Sequence, residues 1–260
     1  MREFDEQLTL IDSAQVFHWQ RLDGEYMSIV DGKVRTSRDE DDLAKKYFDD
    51  GRDYALLKQQ CSAFPTAVKA IDMLPGLRVL NQPIWEALIA FLLSQNNNVK
   101  RIRGLVLGIC EKYGDRYTYK GHTLYGFPEP STLAKLDPNV LKTQVTCGYR
   151  AEYIVETSKL VKDGFPLESL KEMEVETARK EIMRLKGVGP KVADCVLLFG
   201  TGHTDAFPVD VWVSRLMESW FDVHGSREYM CGEARRLLGP NCGLVQQYLF
   251  HAARTGLIEI

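Results

Sequence analysis

Apolar positions recur with two different periods along this chain. Near the start, VFHWQRL (16–22), EYMSIV (25–30) and KVRTS (33–37) are short and rich in Val, Ile, Tyr and Thr. Asp-Gly pairs at 23–24 and 31–32 separate them. Asp-Gly takes up the left-handed backbone of a two-residue hairpin, so an antiparallel meander is predicted. From Asp39 the character changes. DEDDLAKKYFDD (39–50) is acidic where a helix begins and basic later, the order a helix dipole favours.

Beyond Pro75-Gly76 and Pro83 the helical period dominates. PIWEALIAFLLSQ (83–95) is apolar almost all round and predicts a buried central helix with proline in its first turn. Ile102, Leu105, Val106 and Ile109 form one stripe of a helix that ends at Gly114. Ala178, Ile182 and Leu185 form another before Gly187. PKVADCVLLF, VDVWVSRLMESWF, REYMCGEARRLLG and CGLVQQYLFHAAR complete the set. The expected fold is mostly α with a small antiparallel β N-terminal region (α+β). Residues 1–80 hold the β region plus helices, and residues 81–260 form a helical domain. No internal repeat is visible beyond helix–turn–helix pairs.

Composition narrows the function. The 260 residues are 45% hydrophobic, enough for a substantial core. No stretch approaches the roughly 18 apolar residues of a membrane span, and MREFDEQLTLIDSAQ lacks the apolar run of a signal peptide. A cytoplasmic protein is expected, nucleoid-associated if bacterial, without a membrane partner. Cysteines at 61, 110, 147, 195, 231 and 242 contain no C-x-x-C, which points to reduced thiols and no metal or iron–sulfur site. Net charge is −3, yet residues 1–60 carry 9 basic and 14 acidic side chains, so the remainder is slightly basic. A polyanion would meet a local patch, not a global field.

LKGVGPKVADCVLLFG (185–200) carries the sharpest signal. Gly187 and Gly189 bracket a tight turn between helices, Pro190 suits a first helical turn, and Lys191 follows at once. The backbone N–H groups of such a turn bind phosphate through donors and dipole together. A helix N-terminus favours a carboxylate by about 0.3–1 kcal/mol, so a lysine there is misplaced by that criterion. Taken alone, this stretch leaves a simple turn, a DNA-binding hairpin and an active site open. Lys191 and Cys195 share a face at i, i+4. Downstream, GTGHTDAFPVDVWV delivers Asp210 just before another helix, where its first role is to cap.

Hairpin, Gly/Pro loop and Asp together resemble the helix-hairpin-helix DNA glycosylases. GVGPKVADC with FPVDV is similar to the 8-oxoguanine DNA glycosylases among them. SAQVFHW (13–19), PIWEALIAFLLSQNNNVKRI (83–102), GYRAEY (148–153) and GLVQQYLF (243–250) extend the resemblance over most of the chain. It implies a helix-hairpin-helix glycosylase architecture that works without a cofactor on double-stranded DNA containing oxidised guanine. A monomer is expected, because a single lesion is an asymmetric substrate.

The resemblance also implies roles. Lys191 would attack C1′ of the damaged nucleoside and form a Schiff base through which the strand is nicked. Its reference pKa of ~10.4 must fall for that, and the helix N-terminus and partial burial beside Cys195 both push that way. Asp210 would stabilise positive charge on the sugar while capping its helix. An enzyme acting on a base in a duplex extrudes it and holds it by stacking and edge hydrogen bonds. Gln246 would read the base edge, with Phe250 stacking on one face and Cys195 touching the other. Asn96, Arg101 and Arg150 would hydrogen-bond the cytosine left unpaired, with Tyr149 as a wedge, and Gly187 and Gly189 would meet the DNA backbone. Asn97 and Asn98 read as a solvated helix junction.

Two positions depart from the pattern. Ala14 stands where a glycine carbonyl accepts the N7 proton unique to oxidised guanine. It is expected at negative φ, on the approach to a strand. Trp212 stands in place of a histidine near a DNA phosphate. Two other readings are a glycosylase of this architecture for a different damaged base, and a non-catalytic hairpin DNA-binding protein.

Overall fold

The computed structural model describes residues 4–259. Strands β1 (Gln20–Leu22), β2 (Glu25–Val30) and β3 (Lys33–Thr36) form an antiparallel sheet in chain order. Leu22 pairs with Glu25 and Val30 with Lys33. Both turns are therefore two residues long, and Asp23-Gly24 and Asp31-Gly32 take positive φ throughout, as their sequence predicts. The first strand is shorter than the pattern implies. Residues 16–19 are not in a ladder because their side chains serve two cores at once. Phe17 packs edge-on against Phe91, while Trp19 packs on Tyr47 and Phe48.

Helix α1 (Asp42–Tyr47) starts one turn into the acidic run, where the Asp41 carboxylate accepts from Leu43 and Ala44 N–H. Next come α2 (Ala55–Gln60), α3 (Pro65–Met73), α4 (Ile84–Ser94) and α5 (Val99–Tyr113). Pro83 caps α4 instead of entering its first turn. The helix is buried over Ile84 and Glu86–Leu93, as its all-round apolarity requires. Asn98 caps α5, its side chain accepting from Arg101 N–H at 2.9 Å.

A second hairpin, β4 (Arg116–Tyr119) and β5 (His122–Tyr125), turns at Lys120-Gly121, both at positive φ. It covers the first sheet through Met27, Ile29 and Leu124. The helices continue with α6 (Pro130–Leu133), α7 (Pro138–Val145), α8 (Arg150–Lys162) and α9 (Val175–Ile182). The chain ends in α10 (Pro190–Val196), α11 (Val211–Phe221), α12 (Arg227–Leu238) and α13 (Cys242–Arg254). The helix expected over 190–199 stops at Val196 and passes into a π-helical turn over Leu197–Thr201. Leu185 lies just past α9 but stays buried.

The fold is mostly helical with small antiparallel sheets, as expected. One large core runs from Phe17 through α4 and α10 to Ile258, with α4 against α10, α5 and α8, and α13 against α3 and α11. Among the described residues no helix is long and apolar enough to cross a membrane.

Candidate active site

Helices α9 and α10 form the predicted hairpin. Gly187 has φ +83°, and a Cβ there would lie 2.3 Å from the Tyr153 ring, so both backbone and packing demand glycine. Gly189 differs: a Cβ would meet nothing, and no side chain caps α10. The first N–H groups of α10 are thus left to an outside acceptor such as a phosphate.

Lys191 sits half-buried in the first turn of α10, pointing at the C-terminal end of α4. Its Nζ lies 3.3 Å from Ser94 Oγ and 5.2 Å from the Phe91 ring centroid. An aromatic face is a favourable neighbour for a cation. Cys195, one turn on, is buried. That burial pushes its thiol up to about 11, against the pull of Lys191, while Asp210 adds to the push. Lys191, Asp194 and Asp210 thus all lie within electrostatic reach of this sulfur. Asp210 caps α11, accepting from Val213 N–H at 2.9 Å.

Helix α13, which carries Gln246 and Phe250, is tied to the same loop. Gln246 Nε2 donates to Pro208 O at 3.1 Å, two residues before Asp210, while Gln246 Oε1 is buried without a donor. Gly243 allows this approach: its N–H donates to Thr204 O, and a Cβ would sit 2.2 Å from Ala206 O. Phe250 is half-buried, with the Arg254 guanidinium 5.7 Å from its ring centroid. Trp212 is exposed, near Arg215.

A second cluster gathers at the end of α4. Asn96 has φ +47°, and its Nδ2 donates to the Tyr149 hydroxyl at 3.0 Å. The Tyr149 ring is exposed, with the Arg150 guanidinium 4.4 Å from its centroid. Arg150 itself is buried and donates to the carbonyls of Gln95, Cys147 and Asn96. The Arg101 side chain is exposed, its guanidinium 3.4 Å from Thr146 O. Ser94 serves Lys191 while Gln95 and Asn96 serve Arg150, so α4 joins the two clusters.

Ala14 departs from expectation. Its φ is +61°, in the left-handed region, not the negative φ of a strand approach. The cause is tertiary. Ser13 and Gln15 are locked by buried hydrogen bonds, including Gln15 Nε2 to Ser13 Oγ at 2.9 Å and Leu80 N–H to Gln15 Oε1 at 2.8 Å. These hold a conformation that costs an alanine about 1–2 kcal/mol.

The sequence reading overlooked Phe91 and Ser94, although their i, i+3 spacing on a buried helix was visible. It also overlooked the ion pair beneath the hairpin, where Arg179 Nε meets Asp194 Oδ1 at 2.7 Å. A buried acidic residue on an apolar face was the available signal. Among the described residues no group of His, Cys, Asp or Glu is placed to hold a metal.

Residues 89–238 match the model of the HhH-GPD superfamily base excision DNA repair proteins. The chain is 34% identical over 213 residues to a probable N-glycosylase/DNA lyase of Methanothermobacter thermautotrophicus, covering 73% of this chain and 67% of that one. It is 35% identical over 167 residues to the N-glycosylase/DNA lyase of Saccharomyces cerevisiae, covering 60% of this chain but only 44% of the yeast protein. The fold superposes on a Clostridium acetobutylicum 8-oxoguanine glycosylase/lyase in complex with double-stranded DNA containing cytosine opposite 8-oxoG. The TM-score is 0.90 at 32% identity, over 98% of this chain and 93% of that one.

Proposed function

Since this chain belongs to the HhH-GPD superfamily of base excision DNA repair proteins, we propose that it excises 8-oxoguanine opposite cytosine and nicks the resulting abasic strand through Lys191. It is a bifunctional N-glycosylase/DNA lyase that acts as a monomer on duplex DNA in the cytoplasm. The observation that carries this reading is Lys191 at the mouth of the hairpin, held against Ser94 and Phe91, with Gln246 fastened two residues before Asp210.

The Lys191 amine adds to C1′ as the glycosidic bond breaks, and the base departs with the bonding electrons and takes up a proton. The Asp210 carboxylate offsets positive charge on the sugar at that moment. The aminal opens to an imine on Lys191; loss of a C2′ proton then expels the 3′ phosphate. In the base pocket, guanine's N1–H and N2–H donors meet Gln246 Oε1, which is buried without a partner. The ring stacks between Phe250 and Cys195. The Ala14 carbonyl accepts from the N7–H that oxidation creates. Arg101, Arg150 and Asn96 take the unpaired cytosine, Tyr149 fills the vacated step, and the turn at Gly187–Gly189 holds a phosphate.

Borohydride trapping tests this reading. The wild-type protein crosslinks to an 8-oxoguanine:cytosine duplex, whereas Lys191→Gln binds it but neither crosslinks nor excises. Near-normal excision by that variant makes water the attacking group. Crosslinking only to duplexes with another damaged base changes the substrate. Binding without any crosslink leaves a non-catalytic hairpin protein.

A further inference from the structure

Four successive carbonyls before β1 are treated unequally. Asp12 O accepts from Arg254 Nη2 at 2.5 Å, Ser13 O from Gln247 Nε2 at 2.6 Å, and Gln15 O from Gln82 Nε2 at 2.8 Å. The Ala14 carbonyl between them accepts no hydrogen bond among the described residues. Three neighbours are tied down by side chains from far along the chain, and one acceptor is left free.

Two of the three donors lie on a single helical stripe with Phe250: Gln247, Phe250 and Arg254 follow at i, i+3 and i+7 on α13. Gln247 is 2% exposed, and Arg254 touches both the turn and the Phe250 ring. Gln15 anchors the turn from behind, donating to Arg78 O at 2.7 Å.

We propose that Gln247 and Arg254 are positioning residues that set specificity for oxidised guanine. They clamp the Asp12–Gln15 turn to the helix that carries Phe250, and so fix the free Ala14 carbonyl relative to the stacking ring. This rests on the role given to Ala14 above. Guanine presents a lone pair at N7, and its 8-oxo form presents a hydrogen. A carbonyl already fixed in place accepts that hydrogen without first being ordered, whereas a mobile one pays the cost of ordering and loses most of the hydrogen bond's worth. Ala14 is held at φ +61°, a conformation that persists only while its surroundings over-determine it. Without the clamp the turn relaxes.

Gln247→Met keeps side-chain length and removes the donor, and Arg254→Met releases Asp12. Single-turnover excision is measured on duplexes carrying 8-oxoguanine or 7-deaza-8-oxoguanine, whose C7–H is no comparable donor. The preference for the first base is taken within each protein, so any loss of folded enzyme cancels. The wild type prefers 8-oxoguanine, and in each variant that preference falls by about tenfold, the worth of one neutral hydrogen bond. A drop in one variant only confines the role to that residue, and if one does not fold the other carries the test. An unchanged preference overturns the clamp. A wild type indifferent to the two bases removes the Ala14 reading itself, and the clamp with it.

Discussion

Replacing Arg179 by methionine tests what holds the α9–α10 hairpin in shape. Arg179 on α9 pairs with Asp194 on α10, three residues after Lys191, and also bonds Glu176. The guanidinium is 8% exposed and the carboxylate 2%. Burial pushes the Asp194 carboxyl up to about 6, against the pull of Arg179. Methionine fills much of the same volume but leaves Asp194 with the weak Cys231 thiol donor, 3.8 Å away, and the more distant charge of Arg235. Breaking one side of a buried ion pair costs about 3–5 kcal/mol. At about 2–4 °C per kcal/mol for a chain of this size, melting falls by roughly 10 °C. The pH dependence identifies the cause. Without Arg179 the folded-state pKa of Asp194 rises further above its unfolded value, so the folded variant binds a proton more readily. The destabilisation is full at pH 8 and shrinks as pH falls toward 5, where the carboxyl becomes neutral. Urea unfolding at pH 5 and pH 8 measures both. A loss below about 1 kcal/mol, or one equal at the two pH values, refutes the argument.

Asp210→Asn retains a good helix cap, so stability changes by less than about 1 kcal/mol. Single-turnover excision nonetheless falls by about 10²-fold or more if the charge stabilises the sugar; a rate near wild type reduces Asp210 to a cap. Arg101 and Arg150 separate in a second comparison. Excision opposite each of the four bases shows a weakened cytosine preference in both alanine variants, by about 1–3 kcal/mol. Only Arg150→Ala also melts earlier, because it abandons the carbonyls of Gln95, Asn96 and Cys147. Equal melting temperatures contradict that assignment.

Local signals settled much of this protein. Asp-Gly pairs dictate the left-handed turns at 23–24 and 31–32 because few other dipeptides tolerate positive φ twice in succession. The all-round apolarity of 84–93 requires a buried helix, and Gly-Val-Gly-Pro-Lys marks a hairpin with a cation at its mouth. Lys191 and Cys195 share a face by helical spacing alone. The second hairpin at 116–125 was not anticipated, because its Lys-Gly turn is a weaker signal than Asp-Gly.

Contacts between distant segments settled the rest. Ala14 follows no local preference: an alanine adjusts its φ to whatever its neighbours are bonded to, and here those bonds come from Arg254, Gln247 and Leu80. Ser94 and Phe91 become neighbours of Lys191 only once α4 packs on α10. Arg150 is expected only as a cytosine contact, yet the fold closes three carbonyls around it. Backbone propensity acts over a few residues. A buried polar group instead takes its partner from whichever segment the packed core brings within hydrogen-bonding distance, and no spacing in the chain records that distance.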